Sequence, residues 1–173
     1  CGASGETKGM LFGLQAWTCF WVSEIAEAQR LGLEALGLLR RGSGWWCRIT
    51  GLVGASMIGI TKDTDTQVIA QILIGTRPES SAHDNYLEAL AQLLLSFTRS
   101  LDRDWSKRLL VKLEQVLSSN GRRDGCGAGL ALVAQSMYLR SFDPDPWRQL
   151  GLLHEAQGQF TIAEDRRLLV ISE

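Results

Sequence analysis

Few side chains in this sequence could catalyse a reaction: among 173 residues there are two histidines, His83 and His154. A nucleophile with its base would need Cys126 or a serine close to His154. We favour instead a His154 that packs within a helical hairpin and a His83 that is solvated at a helix start. The sequence therefore predicts no catalytic site, and we do not expect the chain to be an enzyme.

Metal ligands are also sparse: the four cysteines form no C-x-x-C pair and are spread over the chain as Cys1, Cys19, Cys47 and Cys126. With only two histidines beside them, a zinc site is not expected. Cys19 and Cys47 lie in apolar surroundings and are expected to be small core residues. The carboxylate pairs Asp63 with Asp65 and Asp102 with Asp104 stand next to predicted helix starts, where helix capping explains them. We predict no metal and no other cofactor, and the cysteine pattern favours a reduced, cytoplasmic setting.

The segment Gly2–Gly9 (GASGETKG) is the one stretch that resembles a phosphate-binding loop. A Walker A loop needs G-x-x-x-x-G-K-[ST] after a strand. Here Lys8 is followed by Gly9, and no strand precedes the segment. We therefore predict a polar loop or frayed end without a ligand.

Charge and hydropathy exclude two classes of partner. The formal net charge is −1 and 21% of the residues are charged, so neither nucleic acid nor a membrane surface is indicated. The longest apolar run, Ile49–Ile60, is interrupted by glycines and is shorter than the roughly 20 residues of a membrane-spanning helix. Because the chain begins with Cys1 and not Met, we expect a segment of a longer protein, with a mature lipoprotein as the less favoured alternative.

Apolar residues at helical spacing predict a chain made almost entirely of α-helices. Before residue 145, the predicted helices are about residues 10–22, 24–40 and 66–74, two that contain Tyr86–Phe97 and Trp105–Val116, and one more at 130–142. Ser23 is expected to cap the second helix. Residues 45–61 are ambiguous, because Ile49, Val53 and Met57 favour a helix while glycines and β-branched residues oppose one. The run Val68–Ile74 alone would also suit a buried strand.

The stretch Asp145–Ile171 is predicted to form two short helices joined by a tight turn at Gly158. Its spacing matches the W-x2-L-G-x2-Y…A pattern of a tetratricopeptide repeat, with Trp147, Leu150, Gly151, His154, Gly158, Phe160 and Ala163 at the pattern positions. Trp147 and Leu150 would share one buried face of the first helix. Gly151 and Ala163 would lie where the two helices cross most closely.

Several further segments carry a family resemblance, in the family's order: Glu34–Leu39, Arg41–Ser43, Trp46 to Gly51, Leu109–Leu117 and Phe160 to Arg166. Together they resemble the tetratricopeptide tail of large multidomain bacterial regulators, of the type that joins a Ser/Thr protein kinase and an ATPase module to helical repeats. The resemblance implies an all-α, right-handed solenoid of antiparallel helix hairpins, with residues 1–173 as one domain of a longer array. The kinase's glycine-rich loop and H-R-D motif are absent from this chain, so any kinase or ATPase activity would lie in other segments.

These patterns favour a scaffold for protein–protein interaction within a bacterial signalling protein. The expected partner is a protein, a peptide or a neighbouring domain of the same chain, and the residues expected to line its groove are Trp17, Trp21, Arg148 and Glu155. The alternative is a small α/β domain that binds a ligand or nucleotide. It rests on Val68–Ile74 as a strand and Gly2–Gly9 as a ligand loop, but a parallel sheet would need several more such strands.

Overall fold

A computed structural model of the chain describes residues 4–57, 63–119 and 125–163, and these are almost entirely helical. The helices are α1 (Gly5–Trp21), α2 (Ile25–Leu38), α3 (Gly44–Met57), α4 (Asp63–Ile74), α5 (His83–Arg99), α6 (Arg103–Ser119), α7 (Cys126–Phe142) and α8 (Pro146–Ile162). A short 3₁₀ turn, Ser80–Ala82, leads into α5. Within these ranges there is no strand, and the prediction of an all-α fold is confirmed.

Each helix packs mainly on helices close to it in the chain. The pairs α1 with α2 and α7 with α8 are closely packed, and α5 lies between α3 and α7 while also contacting α6. Helix α2 packs on α3, and α4 makes smaller contacts with α3, α5 and α6. The order of the helices in space therefore follows their order in the sequence, with α3, α5 and α7 as successive neighbours.

Helix α5 forms the middle of the core because its apolar residues repeat at helical spacing on both sides that face other helices. Tyr86, Leu90 and Leu93 are fully buried, and Phe97 stacks on Trp105 of α6 with ring centroids 5.8 Å apart. The Tyr86 hydroxyl donates a hydrogen bond to the Leu73 carbonyl at 2.8 Å, which ties α5 to the end of α4. The prediction of helices around Tyr86–Phe97 and Trp105–Val116 is confirmed.

Glycines allow the helices to approach each other closely. A Cβ placed on Gly54 of α3 would lie 2.3 Å from a methyl carbon of Leu93, and one on Gly129 of α7 would lie 2.4 Å from the Phe160 ring. No real side-chain atom fits at such distances. These two positions require glycine because a large neighbouring side chain occupies the space.

The predicted turn at Gly158 is wrong, because α8 continues as one helix from Pro146 to Ile162. Gly158 and Gly151 both face open space, so neither marks a crossing of two helices. Ala163 ends α8 as its C-cap and does not belong to a second helix. One interior glycine costs a helix only about 1 kcal/mol relative to alanine, which the packing of α8 on α7 offsets. Residues 164–171, the rest of the predicted second helix, lie outside the described residues.

The face of α8 that is buried also differs from the prediction. Trp147 is 84% exposed and Leu150 is 49% exposed, whereas Ala156 and Phe160 are fully buried. Phe160 fits against Gly129, so the ring and the glycine together decide which side of α8 meets α7. The tryptophan and leucine of the repeat-like pattern consequently lie on the outer side of the helix.

The strand-like run Val68–Ile74 lies within α4, where Ala70 and Leu73 are buried and Val68 is exposed. Two buried residues three apart are typical of a helix, so Val68–Ile74 is not the strand on which the α/β alternative was based. The ligand loop proposed for the same alternative is also absent from the described residues, because residues 5–9 belong to α1. Residues 45–57 are helical within α3, while 58–61 lie outside the described residues. Ser23 caps nothing: its φ is 64°, and Glu24 is the N-cap of α2.

Candidate functional site

The four residues predicted to line one partner groove lie on the first and the last helix. Trp17 and Trp21 belong to α1, which packs on α2 and α3, while Arg148 and Glu155 belong to α8, which packs on α7. The structure therefore places them in two separate regions and does not bring them into one groove.

Trp17 is half-buried and joins α1 to α3. The Arg48 guanidinium carbon lies 5.4 Å from the centroid of the Trp17 ring, within the range of a cation–π contact. The ring of Trp21 meets the edge of Trp17, with centroids 6.4 Å apart and an angle of 65° between the planes. Trp17 is thus a packing residue with one accessible side, whereas Trp21 is 63% exposed.

A polar row continues from Trp17 across α3 and α5. Arg48 Nε lies 3.5 Å from Glu88 Oε2, and the Gln92 side-chain amide donates to the other carboxylate oxygen of Glu88 at 3.3 Å. Arg48 Nε and Gln92 Oε1 are shielded from solvent and make no hydrogen bond themselves. The row therefore joins α3 to α5 beside the ring of Trp17, and these two atoms are not accessible to a partner.

Helix α1 carries an exposed apolar surface on the side away from α2 and α3. Leu11, Leu14 and Trp21, which we call the α1 stripe, are exposed by 51%, 54% and 63%. The spacing of three and seven residues places them on one face of the helix. Large apolar side chains exposed on one helix face are typical of an interaction site. Sequence reasoning named Trp21 but missed the two leucines, whose spacing alone does not distinguish an exposed face from a buried one.

Arg148 lies on the exposed first turn of α8. Its backbone N–H donates to Asp145 Oδ1 at 3.1 Å, so Asp145 caps the helix, and Pro146 begins it. Trp147 stands beside it in the solvent. The guanidinium and the indole are both available at this end of the helix, and neither contributes to the core.

Glu155 lines a cavity of about 250 Å³ between α6, α7 and α8. The residues around this cavity come from three helices: Glu114, Leu117, Ser118, Ala128, Leu132, Gln135, Leu152 and Glu155. Sequence reasoning named Glu155 alone. The other lining residues have no common motif, because the cavity exists only once three separate helices are packed together.

The side chains considered for catalysis are not assembled into a site. His154 is exposed, so the prediction that it packs within the hairpin is wrong, whereas His83 is half-buried at the start of α5. Cys47 is fully buried as expected, and burial raises the pKa of its thiol to about 12, which disfavours the nucleophilic thiolate. Cys19 is only half-buried. Across residues 4–57, 63–119 and 125–163, no three His, Cys, Asp or Glu side chains are grouped as a metal would require.

Two further findings do not concern a single site. In the part of it that the structure describes, no helix has both the length and the apolar character needed to cross a membrane. Comparisons with known protein families, with curated proteins and with solved structures find no match.

Proposed function

We propose that this chain is a protein–protein interaction module, and the observation that carries the proposal is the α1 stripe. Three large apolar side chains share one face of α1 and are each more than half exposed, although the opposite face of the same helix is closely packed. Exposing such a surface to water is unfavourable, and burying it against a partner removes that cost. Trp21 is the expected anchor, since tryptophan is enriched among the residues that dominate binding energy.

The proposed architecture is a right-handed solenoid of helix hairpins of the tetratricopeptide type. In this arrangement α1 with α2, α3 with α4, α5 with α6 and α7 with α8 are the successive hairpins. Contacts between helices that are near in sequence, with α3, α5 and α7 stacked in order, support it. The last hairpin departs from the family pattern, because its tryptophan at position 147 is exposed.

The setting we propose is the cytoplasm of a bacterium, within a larger signalling protein. The partner is a protein, a peptide or a neighbouring domain of the same chain, and neither nucleic acid nor a membrane. A formal net charge of −1 supports this choice of partner, because it provides no strongly basic surface. Kinase or ATPase chemistry, where present, belongs to other segments of the same protein.

Photo-crosslinking in the source cells tests the proposal. A photoreactive phenylalanine derivative replaces Leu14 in the α1 stripe or, as the control, Asp104, which is exposed on α6. We expect discrete covalent adducts with a protein from position 14 and none of the same mass from position 104. The absence of adducts at position 14, or identical adducts at both positions, would contradict the proposal.

A further inference from the structure

An open groove of about 610 Å³ runs along α6 beside the end of α4, and we call it the α6 groove. Asp104, Arg108, Val111 and Gln115 follow one line along α6, because they are spaced by four, three and four residues. Ile74, the last residue of α4, forms the other side. From residue 104 to residue 115 a helix extends about 16 Å, which is the length of about five residues of extended chain. The shape therefore suits a short peptide segment better than a compact ion.

Basic side chains outnumber acidic ones in the α6 groove. Among the described residues that line it, Lys107, Arg108 and Lys112 are basic and Asp104 alone is acidic. The helical spacing places Lys107 on one side of the line and Lys112 on the other. The ion pairs within the described ranges all involve arginines of α2, of α3 or of the loop between them, so neither lysine is neutralised by a carboxylate. A chain of formal net charge −1 thus carries a locally positive groove.

Arg108 is held at the α6 groove by two uncharged neighbours. Its Nη2 donates a hydrogen bond to Gln71 Oε1 of α4. Its guanidinium carbon lies 4.0 Å from the centroid of the Trp105 ring, within the range of a cation–π contact. These contacts orient the positive charge without neutralising it. Because a guanidinium has five N–H donors, several of them remain for a ligand.

We propose that the α6 groove binds an acidic peptide segment, in which glutamates or aspartates flank a large apolar residue. The carboxylates contact Lys107, Arg108 and Lys112, since a groove lined by one sign of charge attracts the opposite sign. The apolar residue packs on Ile74 and on Val111, which is 45% exposed. This inference goes beyond the proposed function, because it places a second site on a surface that does not include the α1 stripe.

The backbone of the α6 groove favours a carboxylate ligand over a phosphate. Residues 107–115 lie past the first turn of α6, so their backbone N–H groups are bonded within the helix. Phosphate sites commonly use free backbone N–H groups at a helix N-terminus or in a glycine-rich loop. The lysine and arginine side chains of the groove can bind carboxylates without such groups.

The experiment follows backbone amide shifts by NMR while ligands are added to the whole chain. The probe is a blocked pentapeptide of four glutamates around a central leucine, compared with the same peptide in which glutamines replace the glutamates. We expect the glutamate peptide to shift amides within 71–74 and 104–115, and the glutamine peptide to bind about tenfold more weakly or not at all. Tripolyphosphate and a thymidine decamer are the competing anions. Tighter binding of either anion than of the glutamate peptide at these amides, or no shifts from that peptide, would overturn the proposal.

Matched variants identify the groups responsible. The double variant Lys107→Gln with Lys112→Gln removes two positive charges from the α6 groove. The control, Lys8→Gln with Arg140→Gln, removes two from exposed positions of α1 and α7. We expect the glutamate peptide to bind about tenfold more weakly to the groove variant and unchanged to the control. Equal affinities for the wild type and the groove variant, or equal losses in both variants, would overturn the proposal.

The two proposals fail separately. Adducts at position 14 without binding of the glutamate peptide would leave the interaction function standing and reject the α6 groove as a site. Binding of the glutamate peptide without adducts at position 14 would reject the α1 stripe as the interaction surface and keep the groove. Since Asp104 lines the groove, an adduct at position 104 that differs in mass from the one at position 14 is expected from the ligand of the groove.

Discussion

Asp84 Oδ1 accepts a hydrogen bond from the Gly127 backbone N–H at 2.9 Å, so a side chain of α5 caps the N-terminus of α7. Burial raises the pKa of the Asp84 carboxyl, while hydrogen bonds from the Gly127 and Ala128 backbone oppose that rise. Glycine is required at 127, since a Cβ there would lie 2.1 Å from the Asp84 carbonyl oxygen. This contact joins two segments 43 residues apart and sets the position of α7 on α5.

Removal of this cap should destabilise the fold. We expect Asp84→Ala to lower the free energy of unfolding by about 1 kcal/mol, as is usual when a helix N-cap is lost. Asp84→Asn keeps a hydrogen-bond acceptor and should therefore lower the free energy of unfolding by less than Asp84→Ala. Urea denaturation followed by circular dichroism measures both, with Gln15→Ala, at an exposed position of α1, as the control. An Asp84→Ala midpoint equal to that of the control would show that the contact contributes no stability.

Two glycines provide opposite predictions for the same substitution. Gly129→Ala should destabilise the protein by about 1–3 kcal/mol, because its new methyl group overlaps the Phe160 ring. Gly151→Ala should stabilise it by about 0.5–1 kcal/mol, because that position is helical and has open space around it. Both are measured as shifts of the denaturant midpoint. Destabilisation by Gly151→Ala would instead favour a close helix crossing at this residue.

The two aromatic residues of α8 should differ in the same assay. Phe160→Ala is expected to cost about 3–5 kcal/mol, because a fully buried ring leaves a cavity. Trp147→Ala should change stability by less than about 0.5 kcal/mol, since 84% of that residue is already in water. Equal costs for the two substitutions would mean that α8 packs on α7 through a different face.

Cys47 gives a prediction about pH. Its folded pKa of about 12 lies above the ordinary value of 9.0, so the unfolded thiol ionises first as pH rises. Stability from this group is therefore complete below pH 9 and declines between pH 9 and about 12. We expect the wild type to lose more stability than Cys47→Ala between pH 8 and pH 10.5. Parallel losses in the two proteins would show that the folded thiol has an ordinary pKa.

The helices could be predicted from sequence wherever one face is strongly apolar. Tyr86, Leu90 and Leu93 identify α5 because their spacing of three and four residues is that of a helix. The same reasoning fails for α8, where Trp147 and Phe160 are both large aromatics on different faces. Which of them is buried depends on Gly129, a residue of another helix, and no local spacing contains that information.

The candidate sites could also be predicted only in part from the sequence. Trp17 and Trp21 can be predicted from the sequence, because these two residues and Phe20 cannot all point into one helix interface. The cavity beside Glu155 was not identified, because Glu114, Leu132 and Leu152 are brought together by the packing of three helices and share no motif. Periodicity shows which residues share one face of a helix, whereas the exposure of that face and a cavity between helices both depend on how the helices are packed.

The yield of crosslinking from position 14, measured with and without Trp21→Glu in the same protein, tests the interaction function most directly. The charged side chain removes the expected anchor from the α1 stripe, and Trp21 is too exposed for the change to unfold the chain. The account predicts that the discrete adduct falls by at least about tenfold while the denaturant midpoint stays unchanged. An undiminished adduct in the Trp21→Glu protein would contradict the claim that the α1 stripe binds a protein partner.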